Sequence, residues 1–168
     1  MRFVFSKLFY VLLALGFVPL SLAWAWPDLR WYVACYDATL LLVAFIDARV
    51  SRALPAGVEI GRELAGRFHI GAETEVRVRV ANHTPRPLRL RVKDEYPPEL
   101  QLSSPREASL KVEAQTTAML VYGLTPPRRG RYEFGRVAVR YLSRLGLVWC
   151  AAHAGEAEWV KVYPNLRS

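Results

Sequence analysis

Only two cysteines, Cys35 and Cys150, occur in the 168 residues. Two cannot staple a disulfide framework, so the small secreted scaffolds are excluded. Internal repeats and low-complexity tracts are also absent, which removes solenoids and flexible linkers. No phosphate-binding glycine loop, nucleophile elbow or dinucleotide fingerprint occurs, and no metal or cofactor is implied. The one fragment of a metal motif is Cys150-Ala-Ala-His153. On a strand, positions i and i+3 point to opposite faces, and no second pair completes a tetrahedral set. His69 and His83 have no acid or nucleophile near them in sequence. Asn82-His83-Thr84 matches a glycosylation sequon by pattern alone. The chain is therefore expected not to be an enzyme.

What is present first is apolar sequence. Residues 8–26 carry no charge, and a second apolar run, Trp31 to Ile46, follows a four-residue loop. A bilayer core of about 30 Å takes roughly 20 apolar helical residues. The expectation is a transmembrane hairpin within residues 1–52, with helices over about 8–26 and 31–48. Trp24 and Trp26 would form its aromatic belt, and Pro19 would kink it. Asp37 interrupts the second run at a cost of up to about 3 kcal/mol, which its aliphatic residues roughly offset. Without a basic partner opposite, Asp37 reads as a protonated or snorkelling acid. The alternative is a small membrane enzyme or proton-path element that uses it. A competing reading of the first run is a signal peptide, with Arg2 and Lys7 ahead of it and Ala23-Trp24-Ala25 as cleavage site. Arg49 and Arg52 after the hairpin place the remainder in the cytoplasm under either topology, beneath the inner membrane.

Residues 53–168 hold 18 Lys and Arg against 12 Asp and Glu, which gives +6 of the chain's net +8. Their period is two. Glu75 to Val80 and Leu88 to Val92 alternate apolar and charged, as strands with one buried face do. Further strands are expected at Val58–Leu64, Glu99–Ser103, Ala108–Val112, Thr116–Leu124, Arg131–Phe134, Arg136–Leu142, Leu147–Ala151 and Glu158–Tyr163. Proline and glycine turns separate them. This pattern predicts an all-β antiparallel sandwich of immunoglobulin or fibronectin type.

Arg77 and Arg79 share one face of their strand, and Arg89, Arg91 and Lys93 share one face of the next. If the two strands pair as a hairpin, the five form one outward basic surface. A solvated face is the plain reading. The sharper one is docking of something anionic: lipid headgroups, then an acidic protein face. Nucleic acid is disfavoured, because exposed aromatics for base stacking do not interleave with the arginines.

Thr125-Pro-Pro-Arg-Arg-Gly-Arg-Tyr-Glu-Phe-Gly135, then Leu142-Ser-Arg-Leu-Gly-Leu-Val-Trp149, then Val160-Lys-Val-Tyr-Pro164, resembles the N-terminal part of the bacterial "domain of unknown function 58" family. The resemblance covers essentially the whole chain. Ser143-Arg144 departs from it, since the family usually has proline in second place there. The family's von Willebrand factor A-like domain, which follows the Val-Tyr-Pro exit, is not in this sequence. The resemblance implies association with MoxR-type AAA+ ATPases and a role in assembling or maturing other proteins. No catalytic residue carries over. Arg128, Arg129, Gly130, Tyr132 and Gly135 carry over as motif positions, with Gly130 expected to supply a positive φ and Tyr132 to fill the core. The functional expectation is a membrane-anchored, non-enzymatic interaction module whose partners are the bilayer and a MoxR-like ATPase.

Overall fold

The computed structural model describes residues 3–22, 26, 28–64 and 67–164. The chain divides into two compact units. One comprises residues 1–54 and 141–151, the other 55–140 and 152–168. The boundary expected at residue 52 is close to the first division, but the first unit also claims a late segment that the sequence assigns to the β domain.

In the first unit a short strand, β1 (Phe3–Phe5), pairs antiparallel with β11 (Val148–Ala154), Phe3 facing Cys150 and Phe5 facing Val148. Helix α1 (Lys7–Phe17) is capped by Ser6, whose Oγ accepts from the Phe9 amide at 3.3 Å. It ends just ahead of Pro19, and Pro19–Leu22 forms a 3-10 turn. Helix α2 (Leu29–Val50) buries Val33, Leu40, Ala44, Asp47 and Ala48, which fall on one face at helical spacing. The two helices approach closely at Gly16: a Cβ placed there would lie 2.6 Å from Tyr36 Cδ1 and 3.0 Å from Asp37 Oδ1. The Tyr36 hydroxyl donates to the Leu12 carbonyl at 2.9 Å across this contact.

The transmembrane hairpin is corrected here. Helix α1 has 11 residues, about 16 Å of rise and only half a bilayer core. Helix α2 has 22 residues, but Arg30, Asp37, Asp47 and Arg49, with Thr39 and three aromatics that carry polar groups, dilute its apolar content. No described helix is long and apolar enough to cross a membrane. The inner-membrane localisation drawn from the two runs loses its basis with them. Ala23-Trp24-Ala25 lies outside the described residues.

Asp47 has a different task from Asp37. Its buried carboxylate accepts from the Ser143 hydroxyl and, at 3.1 Å, from the Leu145 amide. Ser51 Oγ accepts from the Arg144 amide at 3.2 Å. The end of α2 thus holds the turn at 143–147, where Gly146 takes a φ of 77°. Ser143-Arg144, the departure from the family pattern, is anchored by side chains rather than by proline. Burial pushes the neighbouring Cys150 thiol up, and Asp47 adds to that, against the lowering effect of a hydrogen bond with Tyr141.

The second unit is a β-sandwich. Strands β2 (Val58–Leu64), β4 (Thr74–Asn82), β8 (Thr116–Thr125) and β6 (Gln101–Leu102) form one sheet in the order β2-β4-β8-β6. Strands β5 (Leu88–Asp94) and β7 (Glu107–Val112) pair antiparallel, with β10 (Val137–Leu142) on the other side of β5. A third sheet runs β3 (Phe68–His69), β12 (Glu158–Tyr163), β9 (Gly130–Phe134). The β12–β3 pair is parallel, and every other register described is antiparallel. The predicted period sorts the core. Val76, Val78 and Val80 of β4, Leu120, Tyr122 and Leu124 of β8, and Leu90 and Val92 of β5 are all buried. Sequence alternation located β2 and β12 to the residue, and missed β1 and β3, which are too short to show a period.

Candidate functional site

The five basic residues expected on one surface are divided between two sheets. β4 pairs with β2 and β8, and β5 pairs with β7, so the β4–β5 hairpin does not form. Arg77 faces Glu63 and Val121 across its neighbours, and Arg79 faces Gly61 and Met119. Arg77 also reaches Glu75 along its own strand, at 3.0 Å. Arg89 faces Lys111, Arg91 faces Ser109, and Lys93 faces Glu107 with its ammonium 4.0 Å from that carboxylate. All five side chains are exposed. They lie on the outer faces of two sheets, interleaved with acids.

The motif segment is also redistributed. Arg128 and Arg129 are exposed ahead of β9, and the Tyr132 hydroxyl donates to the Arg128 carbonyl at 2.9 Å. Gly130 is not among the positive-φ glycines, which among the described residues are Gly57, Gly71, Gly146 and Gly155. Tyr132 is half-buried at the surface, and Phe134 is the aromatic that fills the core, 0% exposed. The strand period explains this: 130, 132 and 134 share a face, and only its last position reaches the interior. Gly135 alone has a demanding position. Its amide donates to the Glu95 carbonyl at 2.8 Å, and a Cβ there would lie 2.7 Å from Glu95 Oε2 and 2.8 Å from Glu95 Cβ. Gly135→Ala is expected to cost about 1–3 kcal/mol, as overpacking does, in thermal or urea unfolding. An unchanged midpoint would show that Glu95 swings aside freely.

The Gly135 carbonyl leads to the most unusual chemistry in the unit. It accepts from Arg62 Nη2 at 2.7 Å. The same guanidinium grips Asp94 with two nitrogens, Nε to Oδ2 at 2.9 Å and Nη2 to Oδ1. Tyr122 donates its hydroxyl to Asp94 Oδ2 at 2.6 Å. The side chains of Arg62 and Asp94 are 4% and 0% exposed. The guanidinium also lies over the Phe134 ring, 4.9 Å from its centroid. A bidentate pair with its remaining lone pairs occupied is the arrangement in which a buried charge pair is tolerated. Burial, then the hydrogen bond to Asp94 and that carboxylate's charge, hold the Tyr122 phenol protonated well above its ordinary range.

The sequence reading passed over these three residues, although their period marks them. In β2 the inward positions are Val58, Ile60, Arg62 and Leu64, and in β5 they are Leu88, Leu90, Val92 and Asp94. A lone base and a lone acid at inward positions of two strands are the signal of a buried pair. Arg62 also lines a cavity of about 330 Å³ with Val137, Gly155, Glu156, Ala157 and Glu158.

Asn82 is wholly buried. Its Nδ2 donates to the carbonyls of Arg86, Val112 and Glu113 at 2.9, 3.2 and 3.0 Å. Its Oδ1 accepts from the Thr84 amide and hydroxyl at 3.0 and 2.7 Å. The sequon is therefore an Asx turn that ties β4 to the end of β7. Cys150 is buried and His153 exposed, and no group of three metal-ligating side chains occurs among the described residues.

No protein-family model and no curated protein matches the chain. Solved structures do. The crystal structure of native Escherichia coli alpha-2-macroglobulin from domain MG7 to the C-terminus matches at TM-score 0.55 and 19% identity, over 67% of this chain and 17% of that one. Trypsin-activated alpha-2-macroglobulin from the same organism matches at 0.54 and 19%, over 65% of this chain and 7% of that one. The chain thus spans a small fraction of these proteins, and the likeness is one of β-sandwich fold.

Proposed function

We propose that the protein is a non-enzymatic interaction module, related to the "domain of unknown function 58" family and acting beside a MoxR-type AAA+ ATPase in assembling or maturing other proteins. The observation that supports this reading is the apolar surface of the helical unit. Trp31 is 75% exposed and Tyr32 72%, and Leu42, Phe45 and Val50 are exposed as well. Apolar side chains left uncovered together are characteristic of an interaction surface. The fitting partner is a protein with an apolar face of its own, because the exposed part of α2 between Asp37 and Asp47 offers no charge to pair. Asp37 does not favour the alternative of an acid-driven enzyme: it is half-buried against Gly16 with Oδ1 unpartnered, and one acid does not make a relay.

The test mixes the purified 168-residue chain with the MoxR-type ATPase of the same genome at about 10 μM each, followed by size exclusion; an interface worth about 8 kcal/mol would be well populated. Co-elution that Tyr32→Lys and Leu42→Lys abolish supports the reading. Absence of co-elution, or co-elution that both variants leave intact, overturns it.

A further inference from the structure

The sheet β3-β12-β9 buries one face and exposes the other. Val160 and Val162 of β12 and Phe134 of β9 are buried. By strand alternation, Trp159, Lys161 and Tyr163 of β12 then share the outer face with Arg131 and Glu133 of β9, and all five are exposed. Trp159 is 55% exposed and Tyr163 47%. The two rings stand on one strand with Lys161 midway between them, about 13 Å apart at the usual rise per residue.

The cations of this face are not matched by acids. Lys161 is directly opposite Arg131, and like charges so placed destabilise a sheet. The ion pairs formed among the described residues, at Glu59, Glu75, Asp94, Glu107 and Glu113, leave both out. Arg131 instead lies over the Trp159 ring, 5.4 Å from its centroid. Two further exposed arginines flank the face. Arg67 directly precedes β3, where His69 pairs with Tyr163. Arg129 directly precedes Gly130, which is opposite Val162. Against these four positive charges stands Glu133, opposite Trp159. Glu158 shares its parity with the buried Val160 and lines the cavity.

The chemistry of the ligand follows from that combination. Cations alone would suit any polyanion, and exposed rings alone any apolar face. Rings interleaved with cations along one strand suit a chain that repeats a flat π-surface and an anion, which is a single strand of nucleic acid. The Arg131 guanidinium over Trp159 does not block such a ligand, since bases stack on guanidinium planes as well as on aromatic rings. A duplex keeps its bases stacked inside and would meet only the charges. This interleaving is what the arginines of β4 and β5 lack. The sequence hides it, because Arg131 and Trp159 belong to strands far apart in the chain.

We propose that the outer face of β3-β12-β9 binds single-stranded nucleic acid, with bases stacked on Trp159 and Tyr163 and phosphates held by Arg67, Arg129, Arg131 and Lys161. All of these residues belong to the β-sandwich unit. The proposal goes beyond the ATPase reading and does not rest on it.

The probe is a fluorescein-labelled oligothymidylate about 12 nucleotides long, titrated against the 168-residue chain by fluorescence anisotropy at about 50 mM salt. The chain's net +8 gathers any polyanion, so the rings carry the decision. Trp159→Ala and Tyr163→Ala should each weaken binding by about five- to 100-fold, and Trp159→Phe, which keeps a ring, should retain most of it. The slope of log affinity against log salt should lie between about −2 and −3, and Lys161→Gln should flatten it by about 0.7. Arg77→Gln/Arg79→Gln, on the other sheet, should change binding little. The same strand annealed to its complement, and polyphosphate at equal charge, should each compete at least about tenfold more weakly. Every substitution replaces an exposed side chain, and unchanged circular dichroism confirms the fold. Absence of binding, ring variants that both bind as tightly as the parent chain, or polyphosphate that competes as well as the oligonucleotide would each overturn the proposal, the last two in favour of a solvated cationic surface. The ATPase experiment reads residues of the helical unit, so failure of either test leaves the other reading standing.

Discussion

Arg62→Met is expected to destabilise the protein by about 3–5 kcal/mol in chemical denaturation, since it leaves Asp94 buried and charged with no counter-ion. Met fills much the same volume, so a cavity contributes little. Asp94→Leu should cost as much by stranding the guanidinium and the Tyr122 hydroxyl. The triple variant Arg62→Met/Asp94→Leu/Tyr122→Phe removes every polar partner together and should recover most of the loss, because an apolar cluster of similar volume often matches a buried ion pair. A single variant that costs under about 1 kcal/mol would mean that water reaches the pair. The same site sets an alkaline limit. The unfolded tyrosine releases its proton near pH 10, while folded Tyr122 keeps it. Above pH 10 the folded state therefore binds more protons, and stability falls as pH rises, by about 1.4 kcal/mol per pH unit for this one group. Below pH 10 the contribution is fully present. Tyr122→Phe should make the alkaline fall shallower. Tyr141, pushed up to about 12 chiefly by burial, continues to contribute between pH 10 and 12.

Asn82→Ala should cost about 3 kcal/mol or more, since it leaves the carbonyls of Arg86, Val112 and Glu113 without their donor. Asn82→Asp should be worse, because it turns a carboxylate oxygen toward the same carbonyls. The measurement is the urea midpoint of each variant at constant m-value. The burial has a second consequence. Expressed through a secretory pathway, the folded chain should gain no mass at Asn82-His83-Thr84, since glycan transfer needs an accessible amide. A glycan at Asn82 would show that β4 and the end of β7 separate readily.

The β-sandwich was legible because its signal is local. Alternation in Leu88-Arg-Leu-Arg-Val and its neighbours follows from the pleat and needs no knowledge of the partner strand. The same alternation held the ion pair, with Arg62 and Asp94 both on inward positions, but each strand shows only half of it. Pairing was illegible for that reason. Six residues, Asn82 to Pro87, separate Ala81 from Leu88, and a turn-rich link of that length suggests a hairpin. Yet β4 pairs with β2 and β8, and β5 pairs with β7.

The helical unit shows the opposite balance. Composition marked residues 8–26 and 31–46 as apolar helices, but α1 covers only Lys7–Phe17 of the first run, α2 runs Leu29–Val50, and no described helix is long and apolar enough to cross a membrane. Pro19 stops α1 after 11 residues, where the sequence reading allowed it only to kink.

By itself the sequence determined which faces of the strands are inward, where the turns fall, and that the surface would be basic, because these depend on neighbours one to four residues away. Only the tertiary structure decided that five basic residues would be shared between two sheets, that Asn82 would be a buried tie rather than a glycan acceptor, and that Arg62 would meet Asp94. Those outcomes depend on contacts across 32 and 30 residues of chain, Arg62 to Asp94 and Asn82 to Val112. Such contacts are selected by the free energy of the whole core, which no local window contains.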